Sequence, residues 1–210
     1  MKVPFTESKD GNRLLENQTF VDEVFDSLVI DPPWGSSATV SNTTFVNCRT
    51  SPGTCTIGPL ATLNNVEFVD LDCGDAIHID AAATLNQVTI RGSKPGSVLI
   101  KPKTDQEIPA SDSIDWHLDL TEYQGEVVIV GLAADKIKKA ATHVGVRSAW
   151  SESVDWKGLD IGPVSFFRLA LRQIRNVDQG VFSLPAVGSS NFEQTMREKE
   201  RLSAAGCVFD

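Results

Sequence analysis

Hydrophobic and polar positions alternate in the same order in three segments of the chain. The segments are 38–46 (ATVSNTTFV), 61–69 (ATLNNVEFV) and 83–91 (ATLNQVTIR), at offsets of 23 and 22 residues. In the middle copy Val66 and Phe68 fall on one side, and Asn65 and Glu67 fall on the other. A period of two with β-branched and aromatic residues predicts a strand with one buried face.

Each segment leads into a turn and a second strand. The turns contain SPG (51–53), CGD (73–75) and KPG (94–96), and the strands that follow are CTIG (55–58), IHID (77–80) and VLIK (98–101). With the brief Ala-Thr-Leu strand, this gives three short strands per coil of 22–23 residues. Stacked coils bury each other's inner faces, so Phe45, Phe68 and Ile90 are predicted to form one internal column. The polar residues Ser41, Asn64 and Asn86 are predicted at one corner, where an asparagine ladder can satisfy turn amides.

The expected fold is therefore mainly β, a right-handed parallel β-helix with a C-terminal α-helix. The solenoid is expected to span residues 1–189 and to become irregular after about residue 101, where 101–113 reads as an inserted polar loop. A second segment, 190–210, is expected to hold the helix and tail and to pack on or cap the same domain.

Two further elements are predicted near the ends of the solenoid. A cap is expected at about residues 15–27, since Val21, Val24 and Phe25 share one face if Phe20–Ser27 is helical. At the other end, 171–185 repeats the apolar spacing of 85–102, and a final coil is predicted there.

The repeat resembles the right-handed parallel β-helix, or pectin-lyase-like, superfamily over residues 28–101, and more loosely over 114–185. Within 61–80 the apolar spacing also resembles the five-residue period of pentapeptide-repeat proteins. Those proteins build coils of 20 residues, and the offsets of 22 and 23 depart from that length. The first resemblance is therefore preferred.

Composition narrows the classes of partner. The chain of 210 residues has 19 basic and 28 acidic residues, a net charge of −9. This argues against nucleic acid or an anionic membrane as the main partner and permits a basic protein. No apolar run is long enough to cross a bilayer, and the N-terminus has no secretion signal, so a cytoplasmic protein is expected. The four cysteines have no metal-ligand spacing. Cys48 and Cys55 are close in sequence, so the sequence leaves open whether a disulfide joins them.

One stretch has candidate catalytic residues. The segment 74–80 (GDAIHID) is similar to the Asp-Gly-Ile-His-Ile turn of polygalacturonase-like β-helix enzymes, in which carboxylates activate water and protonate the leaving sugar oxygen. The resemblance implies that Asp75, His78 and Asp80 belong to such a set. The paired Asp-Asp, the Gly-His-Gly and the Arg-x-Lys elements of that family are missing, and the turn also occurs as plain structure.

Two groups of residues are candidate binding sites. The first is an acidic and polar ladder on successive strands, made of Glu67, Asp70, Asp72, Asp75, His78 and Asp80. Its carboxylates are also the ligand type that Ca²⁺ prefers, but a solvated acidic rim is favoured and no metal site is predicted. The second group is Asp115, His117 and Asp119, which alternate within one predicted strand and would share a face.

These features favour a non-enzymatic protein-binding module without a cofactor. An immunity or inhibitor protein that neutralises a basic enzyme or toxin would suit a rigid acidic face. A carbohydrate-active or glycan-binding β-helix is the first alternative. A self-assembling structural β-helix is the second, so a homo-oligomer stays open.

Overall fold

A computed structural model gives the structure, and it describes residues 1–103, 107–109 and 113–209. In chain order the strands are Thr6–Glu7 (β1), Arg13–Glu16 (β2), Thr19–Val21 (β3), Val24–Phe25 (β4), Leu28–Ile30 (β5), Ala38–Val46 (β6), Arg49–Thr50 (β7), Cys55–Ile57 (β8), Ala61–Val69 (β9), Ala76–Asp80 (β10), Thr84–Arg91 (β11), Ser97–Lys101 (β12), Leu118–Leu120 (β13), Glu126–Val130 (β14), Ile137–Lys139 (β15), His143–Arg147 (β16) and Gln179–Ser183 (β17). The helices are Trp150–Ser153 (α1), Phe166–Gln173 (α2) and Ser190–Ala204 (α3), and Ala134–Lys136 forms a 3₁₀ turn. Of the predicted loop 101–113, residues 104–106 and 110–112 lie outside this description.

The strands stack in parallel as the repeat predicts, and the described chain forms a β-solenoid of about five turns. One sheet runs β1-β2-β6-β9-β11-β13-β15, with β3 also paired to β6. The second runs β5-β8-β10-β12-β14-β17-β16, and β4 pairs with β7. Ala38 pairs with Ala61, and Thr62 pairs with Thr84, so the coil length equals the sequence offset. A mainly β solenoid with a C-terminal helix is therefore confirmed.

Left-handed residues turn the chain at the corners. The two predicted strands of each copy form one long strand, such as β9, which bends where Asn65 adopts φ 52°. Asn42 has φ 48° at the same position of the previous coil. Asparagine tolerates this conformation better than most residues because its side chain hydrogen-bonds locally. The Asn65 Nδ2 donates to Asn42 Oδ1 at 2.9 Å, and Asn86 Nδ2 donates to Asn64 Oδ1 at 3.3 Å. The predicted asparagine ladder is present.

The interior holds the predicted column of large side chains. Phe45 pairs in register with Phe68, and Phe68 pairs with Ile90. All three are fully buried. Phe20 extends the column by one coil, since its ring stacks on Phe45 with centroids 5.1 Å apart.

The N-terminal end differs from the prediction. The expected helix at 20–27 is wrong: β3 and β4 lie there and pair in parallel with β6 and β7, so these residues belong to the first coil. Tertiary pairing explains the difference, because Phe20 and Phe25 both point into the core on either side of a left-handed Asp22. Residues before β2 lie at this end, where Val3 and Phe5 pack against the core.

The C-terminal end leaves the coil pattern. The final coil predicted at 171–185 is wrong in its first half, which is the end of α2, and β17 pairs antiparallel with β14 and β16. Val144, Trp150, Phe167 and Phe182 belong to a second core that joins these strands to the helices. The predicted C-terminal helix is present as α3, and the Ser189 hydroxyl accepts the Phe192 amide as its N-cap.

All four cysteines are buried free thiols, so the bridge left open between Cys48 and Cys55 is absent. Among the described residues, none of the helices combines the length and apolar character needed to cross a membrane.

Candidate functional site

The three catalytic candidates lie around β10. Asp75 is exposed in the turn before it. His78 projects outward and is half-buried, beside Thr56 and Leu99 of the neighbouring coils. Burial and the Lys103 ammonium lower the pKa of His78, although Asp75 opposes them. Asp80 is 2% exposed, and its Oδ1 accepts the Ala82 amide at 3.0 Å. A buried carboxylate that accepts a turn amide has a structural task.

The acidic ladder has partners within the solenoid. Arg91 Nε lies 2.7 Å from Glu67 Oε1. The Asp70 carboxylate accepts the Ser93 amide at 2.8 Å. These bonds hold one coil to the next, and the Arg91 charge offsets that of Glu67.

Asp72 forms an ion pair with Lys94, also from the following coil. The Lys94 hydrogen bond lowers the pKa of Asp72, helped by the Gly74 amide and against a weaker effect of burial. Glu67 and Asp80 also lie on different sheets, so the predicted ladder is not one continuous face. Within the described residues no three His, Cys, Asp or Glu side chains are grouped so that they could hold a metal ion.

The second predicted group does not share a face. His117 is buried, with Nδ1 2.8 Å from the Leu85 carbonyl oxygen, so it cannot line a surface groove. The strand β13 begins only at residue 118. Asp115 is exposed before it, and Asp119 is half-buried beside Lys138 at 3.5 Å. Burial opposes the shift, but hydrogen bonds from Thr121 and the Lys138 charge lower the pKa of Asp119.

The excess negative charge is concentrated near the N-terminus. Residues 1–80 contain 12 of the 28 acidic residues and 4 of the 19 basic ones, a net of −8 out of −9. Between residues 14 and 48 there are five acidic residues and no lysine or arginine: Glu16, Asp22, Glu23, Asp26 and Asp31. All five are exposed. Among them Asp26 lies near a positive charge, since its Oδ1 is 3.6 Å from the N-terminal amino group.

Exposed apolar side chains occur at the same end. Six of the ten large hydrophobic side chains exposed in the described chain lie within residues 1–34. The first coil contributes Val21 (52% exposed), Val24 (61%) and Val29 (38%), and Trp34 in the next loop is 89% exposed. We use "first-coil surface" for these four residues with Asp22, Glu23, Asp26 and Asp31. Exposed apolar side chains and uncompensated acids at the same end of the solenoid make it a candidate interaction surface.

The N-terminal segment covers part of the backbone edge of the first coil. The Met1 amino group donates to the Val24 carbonyl at 2.6 Å, the Asp26 amide donates to the Met1 carbonyl at 2.8 Å, and Lys2 forms a parallel bridge with Ser27. Within the described residues β3 pairs with β6 alone, and β5 is the last strand of its sheet with no further strand on its outer edge. Pro32 and Pro33 follow β5 closely and keep this edge short.

Trp34 also borders a shallow cup of about 450 Å³. The other walls are Asn12, Gly35, Ser36, Ser37 and Leu60. Asn12 Oδ1 accepts the Ser37 amide at 2.8 Å, so the polar wall is held in place by the loop itself. An indole beside a polar cup is a surface on which a ring can stack.

No family model, curated protein or solved structure matches this chain. The fold and the surface chemistry are therefore the basis for a functional proposal.

Sequence reasoning missed the first-coil surface, although two signals were present. The absence of basic residues between 14 and 48 is visible in the sequence. Trp34 follows two prolines and precedes a glycine, which places it in a loop outside the repeat, where a large aromatic residue has no assigned core position.

Proposed function

We propose that this protein is a non-enzymatic binding module that docks a basic protein on the first-coil surface. The single observation that supports the proposal is the exposure of Trp34 and three valines near four acids at the N-terminal end of the solenoid. A tryptophan that is buried on binding supplies contact energy, and the acids select and steer a cationic partner. An immunity or inhibitor protein that neutralises a basic enzyme or toxin is one kind of module with these properties.

The first-coil surface supports this function better than the acidic ladder does. Glu67 and Asp72 already pair with Arg91 and Lys94, so a partner would have to compete with internal cations. Among the described residues, Asp22, Glu23 and Asp31 have no cationic partner. Unpaired acids contribute more to the attraction of a basic protein, because no internal pair has to be broken.

The same charges disfavour head-to-head assembly of two copies. Bringing two first-coil surfaces together would place eight carboxylates in one interface, and like charges in contact cost several kcal/mol in total. At the other end of the first sheet, the edge strand β15 carries Lys138 and Lys139, and lysine on an edge strand opposes further pairing. A basic partner is therefore preferred to a second copy.

The test is site-specific photo-cross-linking in the native host. A photoreactive residue is placed at position 34, and a matched one at the exposed position 200 of α3, far along the chain from the first coil. Proteins captured at 34 and not at 200 are purified, and their affinity is measured by calorimetry at two salt concentrations. We expect a basic partner, binding that weakens with salt, and at least a tenfold loss in Trp34→Ala.

Charge variants supply the control. Asp22→Lys with Glu23→Lys should weaken binding at least tenfold, whereas Glu152→Lys with Glu200→Lys makes the same change of net charge elsewhere and should not. Equal losses of affinity in both double variants would show that only net charge matters. An acidic partner, or a partner whose affinity is unchanged in Trp34→Ala, would refute the proposal.

A glycan-binding role is the second candidate, and the cup beside Trp34 favours it. A β-helix that resembles the pectin-lyase-like superfamily would bind a sugar by stacking it on the indole, with Asn12 and the serines as hydrogen-bonding partners. A hydrolase or lyase is less well supported, since Asp80 is buried at the end of β10 and its carboxylate accepts the Ala82 amide. Binding is tested by titrating the protein with a panel of polysaccharides and recording tryptophan fluorescence. A change that is present in the wild type and absent in Trp34→Phe would assign the binding to Trp34. Release of reducing ends, lost in Asp75→Asn, would instead restore the enzymatic alternative.

A further inference from the structure

A large cleft lies between the turns of the solenoid and helix α3. Its volume is about 1040 Å³, which is in the range of ligand sites in proteins. One wall consists of residues at the corner of successive coils, and the other consists of α3 and the connector that follows β17. This cleft shares no residue with the first-coil surface.

The helix side of the cleft is mainly apolar, and the charged Lys199 lies at one end of it. Phe192 and Met196 are four residues apart and share one face of α3, both half-buried. The connector adds Leu184, Pro185 and Val187, and Val187 is 76% exposed. The buried residues of α3 are Thr195, Glu198 and Leu202, and they lie on a neighbouring stripe of the helix. Phe192 and Met196 therefore keep part of their surface open to the cleft.

The solenoid side of the cleft is polar and mostly acidic. Glu122 lies in the turn between β13 and β14, Glu126 is the first residue of β14, and both are exposed. Glu126 has no ion-pair partner within the described chain. Arg91 is a cation on this wall, but it is already bonded to Glu67 and lies 3.9 Å from Glu122. The net effect is a wall that favours positive charge.

The dimensions select an extended segment of chain. The solenoid wall runs from Asp70 in one coil to Thr142 three coils later, which is about 14 Å at the spacing of stacked strands. The helix stripe from Phe192 to Lys199 spans about 10 Å. About four extended residues cover this length. Side chains of an extended peptide alternate between two sides, so one side would face α3 and the other would face the acids.

We propose that this cleft binds a short extended peptide in which apolar side chains alternate with Lys or Arg. The apolar side chains would contact Phe192 and Met196, and the basic ones would contact Glu122 and Glu126. This site is separate from the proposed first-coil contact, and either one can fail without the other.

Three blocked hexapeptides test the match by calorimetry with the full chain. One alternates Leu and Lys, the second alternates Leu and Glu, and the third alternates Ser and Lys. We expect the Leu/Lys peptide to bind at least tenfold more tightly than either of the others, because only it is complementary to both walls.

Variants then locate the site. Met196→Lys places a charge on the apolar wall, and Glu122→Gln with Glu126→Gln removes two charges from the acidic wall. Each should weaken Leu/Lys binding at least tenfold. Asp22→Asn with Glu23→Gln removes the same two charges from the first coil and should leave the affinity unchanged. Circular dichroism and the melting temperature verify that each variant folds.

Three results would overturn the proposal. The first is equal binding of the Leu/Lys and Leu/Glu peptides, and the second is the absence of heat at millimolar peptide. The third is a loss that follows the first-coil variant instead of the cleft variants, which would assign the binding to the first-coil surface.

Discussion

The rings of Phe45 and Phe68 stack inside the solenoid with centroids 5.3 Å apart and planes inclined by 15°. The two residues are 23 positions apart in sequence and paired in register on neighbouring strands. Their contact therefore ties the length of one coil to the packing of the core. A coil one residue longer or shorter would move one ring to the outer face.

Truncation of this column should strongly destabilise the fold. Phe68 is fully buried between Phe45 and Ile90, so Phe68→Ala leaves a cavity between these two neighbours. We expect a loss of about 3–5 kcal/mol in the free energy of unfolding, measured by urea denaturation. Phe68→Leu keeps most of the volume and should cost clearly less. Similar losses for both variants would mean that the column does not carry this packing energy.

The corner at Asn65 should tolerate glycine better than alanine. Asn65 has φ 52°, a conformation that costs a residue with a Cβ about 1–2 kcal/mol unless local hydrogen bonds offset it. Asn65→Ala loses both this tolerance and the bond to Asn42. We expect Asn65→Ala to lower the free energy of unfolding by about 1–2 kcal/mol and Asn65→Gly to lower it less. If alanine were the better substitute, backbone strain would not be the dominant effect.

His143 should make the protein less stable in mild acid. The side chain is 6% exposed, and neither ring nitrogen has a hydrogen-bond partner in the described part of the chain. Burial lowers the pKa of His143, and the Lys139 ammonium adds to this effect. The nearby Gly125 carbonyl opposes it, although it lies outside hydrogen-bond geometry. Tyr123 is the neighbouring titratable ring, with its centroid 6.4 Å from that of His143, and it is neutral in this range because burial raises its pKa.

The sign of this effect follows from proton binding. An unfolded histidine takes up a proton near pH 6.5, whereas folded His143 does so only at lower pH. Between these values the unfolded state binds more protons, so stability falls as the pH falls. Urea denaturation from pH 7.5 to 5 should show this loss in the wild type and a smaller one in His143→Phe. His78 is unchanged in both proteins, so it cancels in the comparison. Parallel pH profiles would contradict the prediction.

Much of the solenoid could be predicted because the repeat and the alternation point to the same coil. The register of Phe45, Phe68 and Ile90 follows from the offsets alone. The terminal regions lack the repeat, and there the choice between helix and strand depended on short patterns. Leu171, Ile174 and Val177 are three residues apart, a helical spacing, and the structure follows it up to the end of α2.

The sites were harder to predict, because the state of a charged residue depends on partners from other coils. Asp72 and Lys94 are 22 residues apart, so the repeat itself places them side by side and indicates their ion pair. The alternating pattern places His117 on an outer face only if the strand includes residues 115–117, and β13 begins at Leu118. The exposure of Trp34 has no periodic signal at all, since it depends on a loop outside the coils.

Trp34 should contribute little to stability, in contrast to a buried tryptophan. Its side chain is 89% exposed, so Trp34→Ala removes almost no packing and should change the free energy of unfolding by less than about 0.5 kcal/mol. Trp156 is 8% exposed in the second core, and Trp156→Ala should cost about 3–5 kcal/mol in the same urea denaturation. An exposed indole that the fold does not need is free to contact another molecule. A large loss of stability in Trp34→Ala would show instead that Trp34 packs within the fold, and the first-coil surface would lose its main anchor.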